Sequence, residues 1–88
     1  MNKDYADRDL IRNWLYEGQQ LGASHMILVH DDFDNEDYPE FVYKVRGEAV
    51  REKHKEIDDN PTLVVLGVYN LNQNLEEQVD SLTPPMNF

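Results

Sequence analysis

Two short runs, "MILV" at residues 26–29 and "LVVL" at 63–66, are apolar at every position. Successive side chains of a strand point to opposite faces, so a strand built on either run needs cover on both sides. That demand is severe in a chain of 88 residues, because a domain this small buries only about 60–65% of the surface its unfolded chain exposes. Neither run approaches the ~20 residues of a membrane span. The opening "MNKDYADRDL" lacks the apolar core of a signal peptide, so the chain reads as cytoplasmic with no membrane partner. It has no cysteine, which removes disulfides and thiolate-bound metals as braces.

The remaining elements follow from spacing. Leu10, Ile11, Trp14, Leu15 and Leu21 recur on one face of a helical period, with Asp4 or Asp7 placed to cap the start and Gly22 the end; Gly18 weakens the last turns. "SHMILVH" reads as a central strand. "EFVYKV" alternates, with Phe41, Tyr43 and Val45 on one side, as a half-exposed strand does. "GEAVREKHKEIDD" sets Val50, His54 and Ile57 on one thin helical stripe, ended by Asn60-Pro61. "TLVVLGVYNL" is rich in branched residues and favours strand. Asn74 followed by Glu77 resembles a capping box for a last helix that presents Leu75, Val79 and Leu82.

The order is therefore α-β-β-α-β-α, an α+β fold. A right-handed crossover from the second strand to the third places the first strand centrally, giving a three-stranded antiparallel sheet of order 2-1-3 with helices mainly on one face. One domain spans 1–82, and residues 83–88 form a proline-rich tail. Three modest helices leave the second face of the sheet in need of cover. A second subunit is expected to supply it, making the chain a homo-oligomer; the other solution is that the last helix or "PPMNF" folds over that face.

Eight basic and eighteen acidic residues give a net charge of −10, which opposes direct binding to nucleic acid. The basic groups are concentrated: residues 44–55 carry five of them against two acids, and residues 56–88 carry none. "KVRGEAVREKHK" sets Arg46 and Gly47 at a helix entry and Arg51 one turn inside, where free amides and the helix dipole favour an anion. Charge balance with Glu48, Glu52 and Glu56 along a solvated helix face accounts for the same residues.

"HDDFDNEDYPEF" holds six acids in twelve positions. Asp32, Asp34 and Glu36 alternate as calcium ligands do, but no glycine follows and the distal glutamate is misplaced, so an EF-hand is excluded. A looser magnesium or calcium site at His30 or Asp31 competes with a solvated turn. Asp31, at a strand exit, is the best catalytic acid and His30 its neighbour, but adjacent strand residues point apart. His25, His30 and His54 show no ligand spacing. No nucleophile elbow, phosphate loop or zinc-protease helix is present. Tyr38, between Asp37 and Pro39, is the aromatic expected to be exposed at a loop tip.

The string "GASHMILVHDDFDNEDYPEFV", with Asp31, Phe33, Asp34, Glu36, Asp37, Tyr38 and Pro39 at its turn and Val68, Tyr69, Asn70 and Leu71 later, resembles a family of small uncharacterised bacterial and phage proteins. It departs at His30 and Asp32. The resemblance implies a bacterial or phage cytoplasmic setting and no established catalytic residues; small phage proteins of this kind are often interaction proteins, including ones that blunt host defence.

These readings lead to a noncatalytic binding protein without cofactor or metal, which engages a host protein or sequesters a small anionic, nucleotide-like ligand. In the ligand version Arg46, Arg51 and the helix amides hold phosphate, Tyr38 or Tyr43 stacks, and Asp34 and Asp37 accept hydrogen bonds from base or sugar. One alternative is an acidic mimic that blocks a nucleic-acid-binding protein; a second is a metal-dependent hydrolase built on His30, Asp31 and Asp34.

Overall fold

The structure is a computed structural model that describes residues 7–88. Its elements are α1 (Arg8–Gln20), β1 (His25–Asp31), β2 (Glu36–Val42), a 3-10 turn (Lys44–Arg46), α2 (Val50–Asp58), β3 (Leu63–Asn70) and α3 (Leu75–Val79). The sheet is antiparallel in the order β2-β1-β3, with the doubly apolar β1 at its centre. Among the described residues no helix is long and apolar enough to cross a membrane.

Both faces of β1 are closed within one chain. On one side α1 and α3 pack Leu15, Leu75 and Val79 against Met26, Leu28 and Tyr69. On the other, α2 sets Ile57 and Val50 over Ile27, Val29 and Val68, and Phe88 joins them. Two of the three helices thus share a face, and the thin stripe of α2 covers the second with help from residues 83–88. The cover that sequence reasoning sought from another subunit is supplied internally.

Residues 83–88 are built into the sheet rather than trailing from it. Val68 N donates to Pro85 O at 2.7 Å and Asn87 N to Val68 O at 2.9 Å, so this segment runs parallel to β3 and occupies part of its outer edge. Further along that edge the Gln78 side chain does the same work. Its Oε1 accepts from Asn70 N at 2.8 Å and its Nε2 donates to Asn70 O at 2.9 Å. An edge strand with unpaired amides invites pairing with another chain; here an amide side chain and a proline-rich strap cover two stretches of it.

Several boundaries differ from the sequence reading. Strand β2 begins at Glu36, inside the acidic run, and ends at Val42, so Tyr43 and Val45 leave the sheet instead of extending it. Acids and Pro39 are poor strand formers, but an edge strand has only one neighbour to satisfy and tolerates them. Helix α3 ends at Val79, leaving Leu82 fully exposed. Leu21 is 55% exposed, and the buried stripe of α1 continues instead through Gly18.

Asp7 caps α1, its Oδ1 accepting from Leu10 N at 2.8 Å; Asp4, the other candidate, lies outside the described residues. The helix closes with Gly22 at φ +83°, Gly22 N bonding to Gln19 O and Ala23 N to Gly18 O. This is the paired arrangement that needs a residue without a Cβ in the left-handed region.

An exposed clamp joins α1 to α3. Glu76 accepts from Arg12 Nε at 3.0 and 3.2 Å and from the Tyr16 hydroxyl at 2.8 Å, and Arg8 pairs with Asp80 nearby. The hydrogen bond from Tyr16, then that from Arg12, holds the Glu76 carboxyl below its usual range. A carboxyl lowered on folding stabilises above its unfolded pKa, and that contribution disappears as the pH falls through the lowered value. Glu76→Gln should therefore lower the melting temperature at neutral pH, and the gap to the parent should close as the pH drops below about 4.5. Melts recorded from neutral pH downward check this, and a gap that is constant with pH would refute it.

Candidate functional site

The β1–β2 hairpin tip is a tied turn. Asp31 Oδ1 accepts from Phe33 N at 2.8 Å and from Asp34 N at 3.3 Å, and Asn35 adopts φ +58°. Asp32 N donates to Thr62 O, which fastens the tip to the start of β3. His30 sits between two acids, with Nδ1 2.6 Å from Asp37 Oδ1 and Nε2 3.2 Å from Asp32 Oδ1. Asp37 is turned inward and buried. Asp31 is thus spent on the turn. Among the described residues no three His, Asp or Glu side chains are grouped to hold a metal ion.

Tyr38 is not at the tip. It lies within β2 opposite Val29 and packs half-buried on the α2 side of the sheet. Burial, followed by the charges of Glu40 and Asp31, pushes its phenol pKa up. The aromatic that the tip does expose is Phe33, at 84%. Sequence reasoning chose Tyr38 as the exposed aromatic of this stretch, because the start of β2 at Glu36, which carries Tyr38 into the sheet and leaves Phe33 in the turn, is masked by acids and proline.

The proposed ligand residues are split between the two ends of the sheet. Asp34, Asp37 and Tyr38 belong to the hairpin, while Tyr43, Arg46 and Arg51 follow the far end of β2. Asp37 and Tyr38 lie within β2, five and four residues before its end at Val42, so at about 3.3 Å per residue they stand roughly 13–17 Å from that end. Arg46 and Arg51 also part company, since Gly47 at φ +82° turns the chain between them. The Arg46 guanidinium lies 4.2 Å from the Tyr43 ring centre and that of Arg51 4.5 Å from the Phe88 ring centre. Each cation rests on an aromatic face.

At this end lies a cleft of about 310 Å³. Val50, Ala49 and Phe88 give it an apolar wall, and Lys44 and Arg51 stand at its rim with Ser24, His25 and Glu48. Helix α2 opens here, and its N-cap, Ala49, supplies no side-chain acceptor for the first amides. Glu48 is directed elsewhere, Oε1 accepting from Tyr43 N at 2.9 Å.

Ser24 and His25 are adjacent in the cleft but do not make a nucleophile and base. Ser24 Oγ reaches Val42 O at 3.2 Å and His25 Nδ1 at 2.9 Å, and His25 Nε2 lies 3.2 Å from Phe88 O. Both ring nitrogens of the buried imidazole are occupied, Nδ1 by Ser24 Oγ and Nε2 by Phe88 O, and the second contact ties Phe88 to the sheet. His54 meets the same phenyl ring edge-on, with centroids 5.1 Å apart. Phe88 is thereby fixed as the cleft wall.

The fold and site therefore define a small α+β protein with a cation-rimmed, apolar-walled cleft at one end of its sheet and an acidic tip at the other. Comparison with protein-family models, curated proteins and solved structures finds no match.

Proposed function

We propose that the chain is a noncatalytic binding protein whose cleft takes a small anionic ligand, a phosphate or carboxylate joined to an apolar or aromatic body. One observation carries this reading. In a chain of net charge −10, Lys44 and Arg51 flank a single cleft into which the uncapped start of α2 also opens. The helix amides, the positive end of the helix dipole and two cations all favour negative charge there, and the apolar wall of Ala49, Val50 and Phe88 receives the remainder of the ligand. Arg46 lies on Tyr43 outside this cleft, and Asp34, Asp37 and Tyr38 belong to the tip half of the hairpin, so the working set is Lys44, Arg51 and Phe88.

Calorimetric titration with inorganic phosphate and a panel of nucleotides tests the proposal. Lys44→Glu with Arg51→Glu should weaken binding by about tenfold or more, equivalent to about 1.4 kcal/mol. Added salt should weaken the parent's binding as well. A folded sample that gives no heat with any member of the panel refutes the small-ligand reading.

A further inference from the structure

The two ends of the sheet are complementary. At one end Phe33 is exposed beside Asp32, Asp34 and Glu36 in the chain, and the segment that follows the negative end of the α2 dipole reaches the same tip, where Asp32 N donates to Thr62 O. At the other end an apolar cleft is rimmed by Lys44 and Arg51 beside the positive end of that dipole. Strand β1 starts at His25 in the cleft and finishes at Asp31 beneath the tip, so about 20 Å of extended backbone keeps a tip from its own cleft.

We propose that the tip of one copy docks in the cleft of the next, so that the chain assembles head to tail. The Phe33 ring enters against Ala49, Val50 and Phe88, and the tip carboxylates face Lys44 and Arg51. This rests on reading the cleft as an anion site, with a neighbour's carboxylates as the anion. At physiological ionic strength the Debye length is about 8 Å, well short of the sheet, so the facing ends govern approach despite the net charge of −10. Unlike surfaces meet in such a contact, which leaves one tip and one cleft free at the ends of every open assembly.

That polarity sets the test. A tip variant, Phe33→Ser with Asp34→Lys, and a cleft variant, Lys44→Glu with Arg51→Glu, alter only exposed residues and are checked for folding by circular dichroism. Light scattering after size exclusion should show the parent's mass rising above one chain with concentration. Each variant alone should remain a single chain, and an equimolar mixture should form a two-chain species and nothing larger, because one working tip then meets one working cleft. A parent that stays a single chain at every concentration, or a mixture that does not pair, overturns the proposal. Titrating the tip variant with inorganic phosphate separates the two readings: heat without assembly of the parent rejects docking and keeps the anion site. Pairing of the mixture without heat from phosphate or any nucleotide of the panel supports docking and removes the small ligand.

Discussion

Replacing Gln78 by alanine is expected to cost about 3 kcal/mol, since it orphans the Asn70 amide and carbonyl, each at ~1–3 kcal/mol when buried without a partner. Gln78 is 6% exposed, and its one side chain ties the backbone of Asn70 and Asn74 to the side chain of Asn87. Beyond its two bonds to Asn70, Nε2 donates to Asn74 O at 3.1 Å and Oε1 accepts from Asn87 Nδ2 at 3.0 Å. In a domain of this size each kcal/mol shifts the melting temperature by roughly 4–8 °C, so a fall of about 12–24 °C is expected by calorimetry. Gln78→Met nearly preserves volume and should lose almost as much, which distinguishes lost hydrogen bonds from a cavity. Amide exchange should rise at Val68, Asn70 and Asn87 together, because the strap and the helix share this anchor. A Met variant as stable as the parent would refute the assignment.

How far the sequence revealed this arrangement depends on which interactions are local. The central place of β1 follows from a run apolar at every position, since a strand with both faces covered can use it; the second such run lies in the edge strand β3, where Val64 is 43% exposed. The caps at Asp7 and Asn74, the latter accepting from Glu77 N at 3.0 Å, are local as well, and three-residue spacing exposes them. Helix α2 and Phe88 cover the second face through residues far apart in the chain, and nothing in "PPMNF" shows by itself that it pairs with β3. The same reason hides the cleft. Ser24, Lys44, Arg51 and Phe88 meet only after the crossover closes, whereas Arg46 and Arg51, neighbours in sequence, are parted by the left-handed turn at Gly47. The acidic string looked like one loop because carboxylates and proline mask an edge strand; pairing of Glu36, Asp37 and Tyr38 with Asp31, His30 and Val29 overrides their weak strand propensity.

Gly18 shows packing reversing a local preference. In a helix interior alanine is favoured over glycine by about 1 kcal/mol, so on propensity alone Gly18→Ala should stabilise α1. In the fold a Cβ at this position would lie 2.5 Å from Phe41 Cε1, 2.9 Å from Phe41 Cδ1 and 3.0 Å from Leu71 Cδ1. The Phe41 ring belongs to the cluster beneath α1 and Leu71 is 2% exposed, so neither moves aside without disturbing the core. Overpacking of this kind costs ~1–3 kcal/mol, which exceeds the propensity gain across most of its range. Gly18→Ala is therefore expected to destabilise by up to about 2 kcal/mol net, read as a lower urea midpoint with unchanged slope. The cause can be isolated by shortening the ring: in a Phe41→Leu background the closest obstruction is reduced, and the same alanine should become neutral or stabilising. Such a change of sign across the double-mutant cycle assigns the effect to the Gly18–Phe41 approach. If Gly18→Ala stabilises the parent itself, the glycine is a weak point of α1 and not the socket that lets the helix reach the sheet.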